Sequence, residues 1–117
     1  MRRVDLSARR WYLSLMTTRC RIAVPQDAIE AFCGAHGIRK LSFFGSVIRD
    51  DFRPDSDVDI LVEFEPGATP GLIGMASMEL ELGHILGRKV DLRTPADLSR
   101  YFREEVVDTS EVRYAAR

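Results

Sequence analysis

The feature that most constrains this chain is an eight-residue alternation, Asp57-Val58-Asp59-Ile60-Leu61-Val62-Glu63-Phe64. Successive side chains of a strand point to opposite faces, so Val58, Ile60, Val62 and Phe64 line one face and Asp57, Asp59, Leu61 and Glu63 the other. One face is written for a core. The chain must therefore build a sheet and cover that face.

The flanking segments supply the rest. Leu41-Ser42-Phe43-Phe44 reads as a short strand that stops at Gly45-Ser46, and residues 50–56 are turn chemistry around Pro54, giving a hairpin-like connection. Upstream, Pro25 suits a first helical position and Gly37 a C-terminal cap. Ile29, Phe32, Cys33 and His36 share one face of that helix, Cys33 as a small core residue. Met75, Met78, Leu82 and Ile85 recur at 3-4-3 spacing between Leu72 and Leu86, with Ser77, Glu81, His84 and Arg88 opposite them. That is an amphipathic helix, closed by Gly87. Lys89 to Leu92 reads as a third short strand, and residues 95–107 as a last helix opened by Pro95. Residues 112–115 read as a terminal strand or an irregular tail. The order is that of a small α/β domain, a mixed β-sheet packed against helices.

At 117 residues with 45% hydrophobic content, a single soluble domain closes its core without a disulfide or structural metal. Cys20 and Cys33 lack any CxxC or Cys/His ligand spacing and suit a reducing compartment. No apolar run approaches the roughly 20 residues of a membrane span. A cytoplasmic protein is expected.

Charge is unevenly placed. Six arginines against Asp5 give residues 1–21 a charge of +5, so the remainder carries −6 of a net −1. An acidic folded portion argues against direct nucleic-acid binding. Residues 1–22 form a basic arm and residues 23–117 the domain. Trp11, Tyr12, Leu13, Leu15 and Met16 make an apolar knot in that arm. Two readings stand side by side: a translation start placed too early, with Met16 the initiator, or an amphipathic arm that docks on the domain or a partner.

One constellation is explained by neither composition nor packing: Gly45-Ser46, ten residues, then Asp57-Val58-Asp59. Gly45 lets backbone approach a phosphate closely, and Ser46 can cap a short helix beginning near Val47 while offering its hydroxyl to a phosphate oxygen. Free amides at a helix start favour an anion. Asp57 and Asp59 project from one face with Cα atoms roughly 6–7 Å apart. Two carboxylates at about 4 Å repel by about 4 kcal/mol at an effective dielectric near 20. Solvated turn aspartates would explain the pair taken alone. Joined to Gly-Ser at the same end of the sheet, it fits a hard divalent cation such as Mg²⁺, held by carboxylates plus substrate phosphates. Asp91, between Val90 and Leu92, adds a third carboxylate placed either toward solvent or to take a proton from an attacking hydroxyl. The residues point to metal-dependent phosphoryl or nucleotidyl transfer.

The run Phe44 to Phe64 resembles the minimal nucleotidyltransferase (MNT) family of the DNA polymerase β superfamily, whose motif is Gly-Ser, ten residues, Asp-x-Asp. The resemblance extends from about Pro25 to Tyr114 and implies a small polymerase β-like nucleotidyltransferase fold. It implies that Asp57 and Asp59 hold the metal, with Asp91 the third acidic residue, and that Gly45, Ser46 and Arg49 bind the nucleotide triphosphate. Val47 and Asp50 replace an arginine and a glycine that many members carry, which leaves fewer cations for the triphosphate. Arg49 is retained, though it could also serve a surface ion pair with Asp50 or Asp51.

The resemblance further implies ATP as substrate and a HEPN-domain toxin as partner, with AMP transferred to a tyrosine of that ribonuclease by its antitoxin. A chain of this length is expected to rely on a partner for the acceptor hydroxyl. The alternatives are a nucleotide-binding module that neutralises its partner by stoichiometric blocking, and a free-standing transferase acting on a small molecule or RNA end.

Overall fold

In the computed structural model, residues 20–116 are described. The apolar knot and the start-site question lie outside the described residues. Helix α1 spans Gln26–His36, followed by strands β1, Ile38–Phe44, and β2, Val58–Phe64. Helix α2 spans Leu72–Leu86, strand β3 Val90–Arg93, helix α3 Arg103–Thr109 and strand β4 Glu111–Ala115. The strands form one sheet in the order β3-β2-β1-β4. β1 runs antiparallel to β2 and β4, whereas β2 and β3 are parallel. The sheet is mixed, as expected.

β2 sits inside the sheet because its apolar face can be covered. Val58, Ile60 and Val62 are fully buried with Leu41 and Phe43 of β1 and with Val90 and Leu92 of β3. Ile29, Phe32 and Cys33 of α1 and Met78 and Leu82 of α2 close over them. Burial pushes the Cys33 thiol up to about 12, so it behaves as a small hydrophobe. Cys20, Ile22 and Val24 also pack against this core, and the Arg21 amide donates to the Val47 carbonyl at 2.9 Å. Neither Cys20 nor Cys33 is joined in a disulfide. No helix among the described residues is long and apolar enough to cross a membrane.

Several boundaries differ from expectation. Pro25 is the residue just before α1 rather than its first member, and β1 begins three residues earlier than Leu41. Leu61, on the polar side of the alternation, is only 3% exposed. The 3₁₀ turn Pro95–Asp97 packs against β2. The continuous helix over 95–107 is also broken. Asp97 accepts from the Thr94 amide at 3.0 Å and from its hydroxyl at 3.1 Å, which closes the turn. Leu98 then adopts extended backbone and is buried. Arg103 Nη2 donates to the Leu98 carbonyl at 3.0 Å, satisfying an acceptor that a continuous helix would have paired internally. The segment after Thr109 is a strand rather than a tail.

Candidate functional site

The polar face of β2 is where the sequence-marked residues meet. β1 ends at Phe44, whose Cα partner in β2 is Asp59. The chain then turns at Gly45 with φ of +74°, in the left-handed region. A Cβ built on Gly45 would collide with Asp59 Oδ2 and lie 3.2 Å from its Cγ. Backbone angle and close approach both require glycine.

On the other edge of β2, the parallel register pairs Asp59 with Asp91. Paired residues of adjacent strands project from the same face, so a contact 32 positions long-range in sequence becomes a nearest-neighbour pair of carboxylates. Asp57 lies two residues before Asp59, at the entrance to the strand. Burial raises the Asp59 pKa above the ordinary carboxylate value, and the charges of Asp91 and Asp57 push the same way against the opposing pull of Arg93 and Arg49. Three carboxylates thus share one field, and Asp59 bears its cost.

Ser46 stands differently from expectation, whereas Arg49 makes the surface ion pair expected as its alternative. The helix expected near Val47 is a four-residue 3₁₀ turn, Gly45–Ile48, with Phe44 before it and no side-chain cap. The positive φ of Gly45 starts the turn early and puts Ser46 inside it, where its carbonyl accepts from the Arg49 amide at 2.9 Å. Ser46 therefore caps nothing, and so short a turn lacks the aligned dipole of a helix. Its half-buried hydroxyl remains beside Gly45. Arg49 is exposed and pairs through Nε with Asp51 at 3.3 Å, while Asp50 pairs with Arg21. Water-screened pairs of this kind hold weakly and exchange readily.

Two residues not anticipated from sequence complete the arrangement. Arg93 Nη2 lies 3.2 Å from Asp91 Oδ2 and is the cation nearest the cluster for which a bond is seen. Its position two residues after Asp91 on a strand, hence on the same face, was the available signal. Glu79 of α2 accepts from the Leu92 amide at 2.8 Å and pins β3 beside Asp91. No local pattern links those two positions.

The residues suit a hard cation in their donor chemistry: the carboxylates of Asp57, Asp59 and Asp91 share one field, and the missing Cβ of Gly45 lets the Asp59 carboxylate lie against the turn. Among the described residues, no three His, Cys, Asp or Glu side chains gather closely enough to enclose an ion alone. Mg²⁺ binds in that manner, through one or two carboxylates with water and substrate phosphates supplying the rest.

A mixed sheet with α1 and α2 packed on one face and a Gly-Ser turn beside paired aspartates on the other defines a class, the small nucleotidyltransferase domains. The chain belongs to the nucleotidyltransferase domain family, whose profile matches residues 26–114. Among its relatives, protein adenylyltransferase MntA of Thermococcus cleftensis is 39% identical over 74 residues, covering 56% of this chain and 73% of the relative. A solved structure described as a minimal nucleotidyltransferase superposes with a TM-score of 0.61 at 38% identity, over 73% of this chain and 85% of that one. The antitoxin complexed with a tri-AMPylated HEPN toxin of Shewanella oneidensis superposes with a TM-score of 0.58 at 20% identity, over 78% of this chain and 70% of that one. At that identity the last likeness is one of fold. The expected family and fold are borne out, and the chain is a nucleotidyltransferase.

Proposed function

We propose that this chain transfers AMP from ATP to a protein hydroxyl, a tyrosine of a HEPN ribonuclease toxin, and acts in the cytoplasm as that toxin's antitoxin. The observation that carries the reading is the register of Asp59 with Asp91, closed on its other side by Gly45. Descriptions of its relatives support the acceptor class: one is named a protein adenylyltransferase, and one is seen with an AMPylated toxin.

Asp57 and Asp59 would hold Mg²⁺, with Asp91 as the third acidic residue. When bound, the ion offsets carboxylate repulsion and stabilises charge on the phosphates. Gly45 and Ser46 would receive the triphosphate through turn amides and the hydroxyl, and Arg49 would exchange Asp51 for a phosphate oxygen. The acceptor oxygen bonds to the α-phosphorus, the bond from that phosphorus to the bridging oxygen breaks, and pyrophosphate leaves. Asp91 would take the hydroxyl proton, and Arg93, 3.2 Å away, would orient the carboxylate for it. A chain begun at Met16, which keeps Arg21 and every residue of the site, would retain this chemistry.

Co-expression with a HEPN partner, followed by intact-mass measurement, tests the proposal. A toxin heavier by one or more AMP units and inactive on RNA is expected. The second reading, neutralisation by blocking alone, draws on Asp91 being already engaged by Arg93. An unmodified toxin held inactive only within the complex would select it.

A further inference from the structure

A cavity of about 380 Å³ lies beside the carboxylate cluster rather than within it, lined by Arg21, Asp50, Phe52, Arg53, Pro54 and Arg88. Three of its six residues are guanidinium-bearing and one is acidic, and that acid, Asp50, is already taken by Arg21. Arg88 is held in place by its position over the Phe52 ring, 4.6 Å from the centroid. Its Nη1 is buried and has no hydrogen-bond partner among the described residues. A buried donor without an acceptor costs free energy unless a ligand completes it. Arg53 has no ion pair among the described residues, and its backbone is fixed by bonds to and from Ser56, each 3.0 Å.

The cavity's walls are tied to the start of β2. The loop bearing Phe52, Arg53 and Pro54 runs directly into Asp57, and the Val58 amide donates to the carbonyl of Lys89, next to Arg88, at 2.9 Å. Two guanidiniums unpaired among the described residues, a few residues from the carboxylate site, form a planar, multidentate donor set suited to phosphate oxygens. We propose that Arg53 and Arg88, with Arg21 at the rim, form a second oxyanion site that binds a phosphate group separate from the triphosphate at the aspartates. Resting on the transferase reading, two sources share that chemistry: departing pyrophosphate, and the phosphodiester of an acceptor already carrying a nucleotide.

The test is calorimetric titration of the full chain in metal-free buffer containing EDTA, where the empty aspartate cluster repels anions. Sodium pyrophosphate is one probe and the dinucleoside monophosphate ApA the other. Binding of at least one is expected, weakening by roughly tenfold in Arg53→Gln and in Arg88→Gln. Tighter pyrophosphate assigns the site to the leaving group, and tighter ApA assigns it to a modified acceptor. Arg53 is on the surface, so R53Q stays informative if R88Q loses its packing on Phe52 and fails to fold. No binding of either probe, or unchanged affinity in R53Q, overturns the proposal. Loss of transfer chemistry in the wild type with pyrophosphate binding intact would instead overturn the transferase reading alone.

Discussion

At its Asp59 end, the two faces of β2 obey opposite rules. On one, Val58, Ile60 and Val62 are fully buried and packed by α1 and α2, each such side chain contributing about 1.5–3 kcal/mol to folding. On the other, Asp59 faces Asp91 across the parallel register and is penalised for being charged. Alternation by single residues lets one strand carry both. The difference teaches that stability is concentrated on the helix-covered face, and that the opposite face is tolerated at a cost that a bound cation would offset.

The largest expected effect breaks the comparison on its chemical side. Asp57→Asn and Asp59→Asn should each abolish AMP transfer, by at least about 10³-fold in labelled-ATP assays, while circular dichroism shows an intact fold. Retained transfer in the double variant would remove the carboxylates from the chemistry. The same contrast predicts the reverse phenotype one position away. Ile60→Ala should cost about 2–5 kcal/mol of stability by denaturant titration, since it opens a cavity in a closed core. A loss below about 1 kcal/mol would show that the helix-covered face is not where stability resides.

A smaller effect sharpens the roles within the cluster. Asp91→Asn should lower the transfer rate by about 10²- to 10⁴-fold while leaving Mg²⁺-nucleotide affinity within a few-fold, because a proton acceptor acts on the rate. Equal losses of affinity and rate would make Asp91 a primary metal ligand.

How far the sequence carries depends on the range of the interaction concerned. The strand alternation, the Met78 and Leu82 stripe, and the spacing from Gly45-Ser46 to Asp57 are local patterns, and each is realised in the fold. The break at Leu98 was hidden because Pro95 is a genuine local helix-start signal, whereas Leu98 turns inward for a tertiary reason. The role of Ser46 shifted because one positive φ at Gly45 moved the start of the turn two residues earlier. Asp59 and Asp91 could be marked separately, but their pairing depends on the register of two strands with a helix between them. The same holds for Glu79, which reaches Leu92 only once α2 lies against β3.

The central claim is that the carboxylate face is repulsive until a cation and nucleotide occupy it, and thermal stability of Asp59→Asn against wild type measures it most directly. Because the folded chain holds the Asp59 proton more tightly than the unfolded chain, the unfolded state deprotonates first as pH rises. Wild-type stability should therefore fall from its low-pH level as pH climbs through the raised pKa of Asp59, a slope the variant lacks. In EDTA at pH 7, Asp59→Asn should melt roughly 2–4 °C higher than wild type, a difference that shrinks at acidic pH. With Mg²⁺ and a non-hydrolysable ATP analogue the order should reverse, because only wild type gains the ligand's stabilisation. A variant that melts below wild type in EDTA at pH 7, or the same order with and without ligand, would contradict the account.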